Sequence, residues 1–140
     1  MFFYKRKRQT HCNICEDARR KNIITIVEKD TDIVTLERIR EFQGTYLVLG
    51  ELSRGMLEEE HKNRIGHLKK RIENGEDIEE IVVGVGPHAL GDMIFELIKQ
   101  NFKEDVSSIT RLARGIPTGG DIEFADEETL RSAIRRRSDL

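Results

Sequence analysis

The side chains able to do chemistry in this chain fall into separate groups, and spacing decides what each group can do. Cys12 and Cys15 are separated by two residues, close enough for two thiolates to grip one zinc ion. They are the chain's 2 cysteines, so a closed tetrahedral site on one chain lacks two ligands. His11 adjoins Cys12, which makes joint ligation awkward, and His61, His67 and His88 lie far along the chain. The same pair could serve as a redox dithiol, but no suitable strand precedes it and no helix is clearly signalled. Half a zinc site is what the spacing supports.

Carboxylates form the second group. Glu28 closes an apolar run and Asp92 follows the Gly86-Pro87-His88 turn. Magnesium is a hard ion that prefers several oxygen ligands, and two carboxylates make a poor cage for it. His88 sits at a helix start with no serine or cysteine nucleophile at a recognisable spacing, so it reads as a surface or capping residue. The third group is basic. Residues 1–21 hold Lys5, Arg6, Lys7, Arg8, Arg19, Arg20 and Lys21 against Glu16 and Asp17, while the whole chain carries −2. A basic arm on an acidic body is either a point of attachment for phosphate backbone or a solvated tail.

The last group is Thr110–Asp126, where Gly115, Pro117, Gly119 and Gly120 bend the chain amid Arg111, Arg114, Asp121, Glu123 and Asp126. Glycine allows close backbone approach and proline fixes φ. By its chemistry alone, the stretch is a structured surface loop between a strand and a helix.

These groups need a scaffold, and the hydrophobic pattern supplies one. Ile23–Glu28 is a run of the kind that is buried on both faces as a strand. Asp30-Thr31-Asp32 then offers a helix start, with Ile33, Leu36 and Ile39 on one face and Gly44 as the stop. Tyr46–Leu49 reads as a second strand, residues 57–73 as a helix ended by Asn74-Gly75, and Glu80–Val85 as a third strand. A helix over His88–Asn101, a strand over Val106–Ala113 and a helix over Thr129–Arg137 complete the order. Strands alternating with helices predict an α/β sandwich with a mainly parallel four-stranded sheet.

At 140 residues, 37% hydrophobic and 36% charged, the chain is one polar domain with a lean core. No window approaches the apolar length of a membrane span, and MFFYKRKRQ has the wrong order for a secretory signal. A cytoplasmic location is the expectation, with no membrane partner.

The wording of two segments is more specific than their chemistry. Thr110-Arg111-x-Ala113-Arg114-Gly115-x-Pro117-x-Gly119-Gly120-x-Ile122-Glu123-Phe124-Ala125-Asp126-x-x-Thr129-Leu130 closely resembles the run that closes the Toprim domain in the RecR family of bacterial recombination mediators. Cys12, Cys15, Asp17, Arg19 and Arg20 match the second half of that family's four-cysteine zinc module. Between them, Ile26-Val27-Glu28, Gly44-x-Tyr46-x-Val48-Leu49-Gly50, Leu52-Ser53 and Glu80-Ile81-Val82 extend the resemblance over residues 12–137.

The resemblance implies a Toprim-like fold. It also implies a non-catalytic role in DNA recombination and repair, DNA and RecO- and RecF-like proteins as partners, and a homo-oligomeric ring or clamp. The expected organisation is a basic arm with half a zinc knuckle over 1–21, a Toprim-like domain over 22–113 and a subunit-contact segment over 114–140. Lys5, Arg6, Lys7, Arg8, Arg19 and Arg20 are the expected DNA contacts, and Cys12 and Cys15 the expected zinc ligands. Glu28, Arg111, Arg114, Pro117 and Asp126 are the expected partner or assembly residues.

Catalytic Toprim proteins hold Mg²⁺ with a glutamate after the first strand and a D-x-D after a later one. Here Gly86 and His88 stand at those aspartate positions and Leu90 at a further acidic one, so no Mg²⁺ and no enzymatic activity are expected. The family's helix-hairpin-helix region and first cysteine pair have no counterpart in these residues. That leaves open a second reading, a protein-only assembly module or truncated remnant without DNA binding. A Mg²⁺-dependent Toprim nuclease is the third.

Overall fold

Every residue of Ile23–Val27 is β-branched, and the segment forms the central strand β1, buried over its last four positions. A computed structural model describes residues 13–52, 55–86, 89–113 and 115–139. In it β1 pairs in parallel with β2 (Thr45–Val48) on one side and β3 (Glu80–Val83) on the other, and β4 (Ser108–Arg111) adds to β3. The sheet order is β2-β1-β3-β4. All four strands are parallel, as alternation with helices predicts.

After the short α1 (Asn13–Glu16), three helices make the crossovers: α2 (Asp30–Ile39), α3 (Glu59–Glu73) and α4 (Ala89–Phe102). Right-handed connections place α2 on one face and α3 with α4 on the other. Ile24, Ile26, Leu47, Ile81 and Val83 from the sheet meet Ile33, Leu68, Ile94, Ile98 and Phe102 from the helices in one core. The fold is a Toprim-like α/β sandwich. Among the described residues no helix is long and apolar enough to cross a membrane.

Several local expectations need correction. Helix α2 stops at Arg40, which takes the left-handed conformation at φ 56°, not at Gly44. Gly44 serves packing instead: a Cβ there would lie 2.1 Å from the Ile23 carbonyl oxygen. Ile39, expected inward, is 57% exposed. The strands are shorter than the apolar runs that announce them, because Leu49 and Val85 remain buried after the ladder has ended.

Residues 13–21 also belong with the domain. Ile14 and Cys15 pack against the core. The Arg20 guanidinium donates to both Glu37 carboxylate oxygens at 2.8 Å and to the Gly44 carbonyl at 2.9 Å. The Tyr46 hydroxyl donates to the same Glu37 carboxylate at 2.5 Å. Hydrogen bonds from Arg20 hold the Glu37 carboxyl below its ordinary range, and burial pushes the Tyr46 hydroxyl well above its own.

Candidate functional site at the carboxyl ends of the strands

In an open parallel sheet, ligands gather where the strands end. Glu28 leaves β1 at that edge, and its carboxylate accepts from the Leu52 backbone N–H at 2.9 Å. Around it the start of the loop after β2, residues 49–52, is tied by several hydrogen bonds. Gly50 donates its N–H to the Glu28 carbonyl at 3.0 Å and takes φ 106°, a conformation that suits glycine. His61, 4% exposed, accepts at Nδ1 from the Glu58 N–H at 2.9 Å. Its Nε2 then carries the proton and donates to the Glu51 carbonyl at 3.1 Å. Arg64 reaches the Val48 carbonyl at 2.8 Å. Glu28 is thus a loop-holding carboxylate.

At the other end of the edge, Arg111 closes β4 and donates through Nη1 to Asp92 of α4 at 2.5 Å. Its guanidinium lies 5.8 Å from the centre of the Phe95 ring, within range of a cation–π contact. α4 enters tightly: a Cβ at Gly91 would stand 2.2 Å from the Gly86 carbonyl oxygen and 3.2 Å from Arg111 Nη2. Only glycine fits there. Glu28 and Asp92 are therefore engaged, one by a backbone N–H and one by a guanidinium. With Gly86 where a Toprim aspartate would stand, the donor set does not fit Mg²⁺, which takes oxygen from several carboxylates. Among the described residues no three His, Cys, Asp or Glu side chains converge.

The segment after β4 carries the remaining expected residues. Pro117 is exposed, and its carbonyl accepts from the Gly120 N–H at 2.9 Å to close a turn. A 3-10 turn over Ile122–Phe124 leads to α5 (Glu127–Arg135). Asp126 caps α5, accepting from the Thr129 N–H at 2.8 Å and from its hydroxyl at 2.6 Å, and these bonds depress its pKa. Arg19 is exposed and grips Asp17 at 3.0 and 3.1 Å. Lys5, Arg6, Lys7, Arg8, Cys12, His88 and Arg114 lie outside the described residues, and Cys15 is half-buried. A closed zinc site needs two ligands beyond Cys12 and Cys15, and Cys12 lies outside the described residues.

Sequence reasoning missed the apolar surface of this segment. Ile122 is 68% exposed, Phe124 80% and, on α5, Ile134 61%. The signal was present in Asp121-Ile122-Glu123-Phe124, two large apolar residues between acids. Helical periodicity gave no warning of it, because the segment before α5 is not a regular helix.

Residues 115–138 match the family model described as RecR, C-terminal. The chain is 39% identical over 131 residues to the recombination protein RecR of Myxococcus xanthus, covering 92% of this chain and 66% of that protein. It is 38% identical over 133 residues to the RecR of Paenarthrobacter aurescens, covering 92% and 65%. Against the RecR of Rhodococcus jostii it is 37% identical over 140 residues, covering 93% and 67%. The chain spans about two thirds of the length of these curated relatives. Fold and edge geometry define a Toprim-like domain whose carboxyl edge is closed by an ion pair and backbone caps. The chain belongs to the RecR family of recombination proteins.

Proposed function

We propose that this chain is a non-catalytic mediator of DNA recombination and repair. In this reading it works in the cytoplasm as a homo-oligomer, binding DNA and RecO- and RecF-like proteins to help load a recombinase on single-stranded DNA. The observation that carries the reading is similarity across 92% of the chain to a protein named recombination protein RecR. The engagement of Glu28 by Leu52 and of Asp92 by Arg111 supports the absence of Mg²⁺-dependent phosphoryl transfer.

DNA contact falls to Lys5–Arg8 and Arg19, since Arg20 is already committed to Glu37 and Gly44. Zinc, in this reading, is shared: Cys12 and Cys15 supply half the ligands and a second copy supplies the rest. Assembly uses Ile122 and Phe124, whose exposure is the physical motive for burial against another subunit.

The test is fluorescence anisotropy of labelled single- and double-stranded DNA at low and moderate salt, with and without zinc. Binding that weakens with salt, and weakens across all sequences when Lys5–Arg8 are replaced by Ala, is expected. No binding at low salt would favour the protein-only module, and Mg²⁺-dependent cleavage of the labelled DNA would overturn the non-catalytic reading.

A further inference from the structure

Where β4 ends and the last turn of α5 passes the start of α4, a cleft of about 250 Å³ opens. Arg111, Arg135 and Arg136 line it with Ser132, Asp92 and Glu128. Both acids have cationic neighbours: Asp92 lies 2.5 Å from Arg111, and Glu128 lies 3.1 Å from Arg131, which also holds Glu127 at 3.0 Å. Arg135 and Arg136 have no ion-pair partner among the described residues. Arg111 also keeps a buried Nη2 with no hydrogen-bond partner among them, and its guanidinium lies 5.8 Å from the centre of the Phe95 ring. The cleft is thus lined by three arginines against two carboxylates, with the hydroxyl-bearing Ser132 among them.

A helix C-terminus favours cations, which accounts for arginine at positions 135 and 136 taken alone. It does not account for a third arginine from β4 facing the same cleft. Guanidinium forks from two elements, with Ser132 in the same lining, suit a tetrahedral oxyanion with several acceptor oxygens. We propose that this cleft binds a phosphate group, carried either by a nucleic-acid backbone or by a small phosphate compound. In its nucleic-acid form the inference rests on the DNA reading above. In its small-molecule form it stands apart from that reading.

The experiment compares the full chain with R135A/R136A and with the charge-keeping R135K/R136K. One arm follows a labelled oligothymidylate by anisotropy over a range of salt. The other follows inorganic pyrophosphate by calorimetry. Both positions are exposed, so circular dichroism should show an unchanged fold. For a backbone phosphate, R135A/R136A lowers oligonucleotide affinity about tenfold and reduces the salt slope by about 1.4, two contacts at about 0.7 each. For a small phosphate compound, pyrophosphate binding disappears in R135A/R136A while oligonucleotide binding holds. R135K/R136K keeps part of either effect.

Replacing Lys5–Arg8 by Ala serves as the separating control. If that variant loses DNA and pyrophosphate binding still depends on Arg135 and Arg136, the cleft stands whatever the arm does. If wild type binds oligonucleotide through the arm and R135A/R136A changes neither ligand, the cleft is not a phosphate site. Absence of pyrophosphate binding and of any R135A/R136A effect on oligonucleotide overturns it as well.

Discussion

Arg111 at the end of β4 holds Asp92 of α4 at 2.5 Å, so a protein cation stands against one of the carboxylates that remain where metal-dependent relatives of this fold keep their acids. The guanidinium is 17% exposed and its partner 56%, which makes the arginine the structural half of the pair. Arg111→Ala should cost about 1–3 kcal/mol in urea unfolding, from lost hydrogen bonds and the lost contact with Phe95. Asp92→Asn should cost less than about 1 kcal/mol, as exposed pairs do. Equal losses from the two variants would mean the pair, and not the packing of Arg111, holds this corner.

Glu28 is tied to Leu52 by one hydrogen bond. Glu28→Gln keeps an acceptor at the same place and should leave stability within about 0.5 kcal/mol, whereas Glu28→Ala should cost about 1–2 kcal/mol. Recombination function should survive Glu28→Gln. Its loss in a protein with an intact fold would return the carboxylate to a metal or partner role.

Acid should unlock the Arg20–Glu37–Tyr46 network. The Glu37 carboxyl is depressed below its ordinary 4.5, so its stabilisation is complete above that value and is lost as pH falls through the lower folded value. Glu37→Gln should cost about 1–3 kcal/mol near neutral pH. The gap from wild type should close as pH falls below the ordinary 4.5 and on through the lower folded value. Thermal melts of both proteins between neutral and acid pH check the sign, and a gap that widens in acid would contradict it.

Two glycines inside helices should respond in opposite directions. At Gly91 a Cβ would meet the Gly86 carbonyl at 2.2 Å, while at Gly66 nothing lies within 4 Å. Gly91→Ala should destabilise by more than about 2 kcal/mol. Gly66→Ala should stabilise by about 0.5–1 kcal/mol. Chemical denaturation of the two variants side by side measures both.

Phe124→Ser and Ile122→Ser should shift the chain toward monomer in light scattering after gel filtration, with folding unchanged, since both side chains are already exposed. An unchanged mass in a self-associating wild type would place assembly elsewhere.

The sequence by itself determined the order of the four strands and of helices α2 to α5, and with them the parallel sheet. Runs such as Ile23–Val27 and Glu80–Val83 carry their strand character in residue type, and the Ile94–Ile98 spacing carries its helix. It also carried the family, through the worded run from Thr110 to Leu130, because such a run is read residue by residue. What it could not convey is which charges meet. Arg20 reads as a free cation in a basic arm, yet it lies beside Glu37, 17 positions on. Arg111 finds Asp92 only because β3 and β4 stand side by side and α4 packs across them, bringing together residues 19 positions apart. Glycine roles divide in the same way. Gly75 ends a helix as its neighbours announce, whereas Gly44 and Gly91 are required by backbone arriving from elsewhere in the fold. Local pattern records the preferences of a segment, and long-range contacts exist only after the chain has closed on itself. For that reason tertiary structure alone decided which charges here are spent within the fold and which remain exposed to a partner.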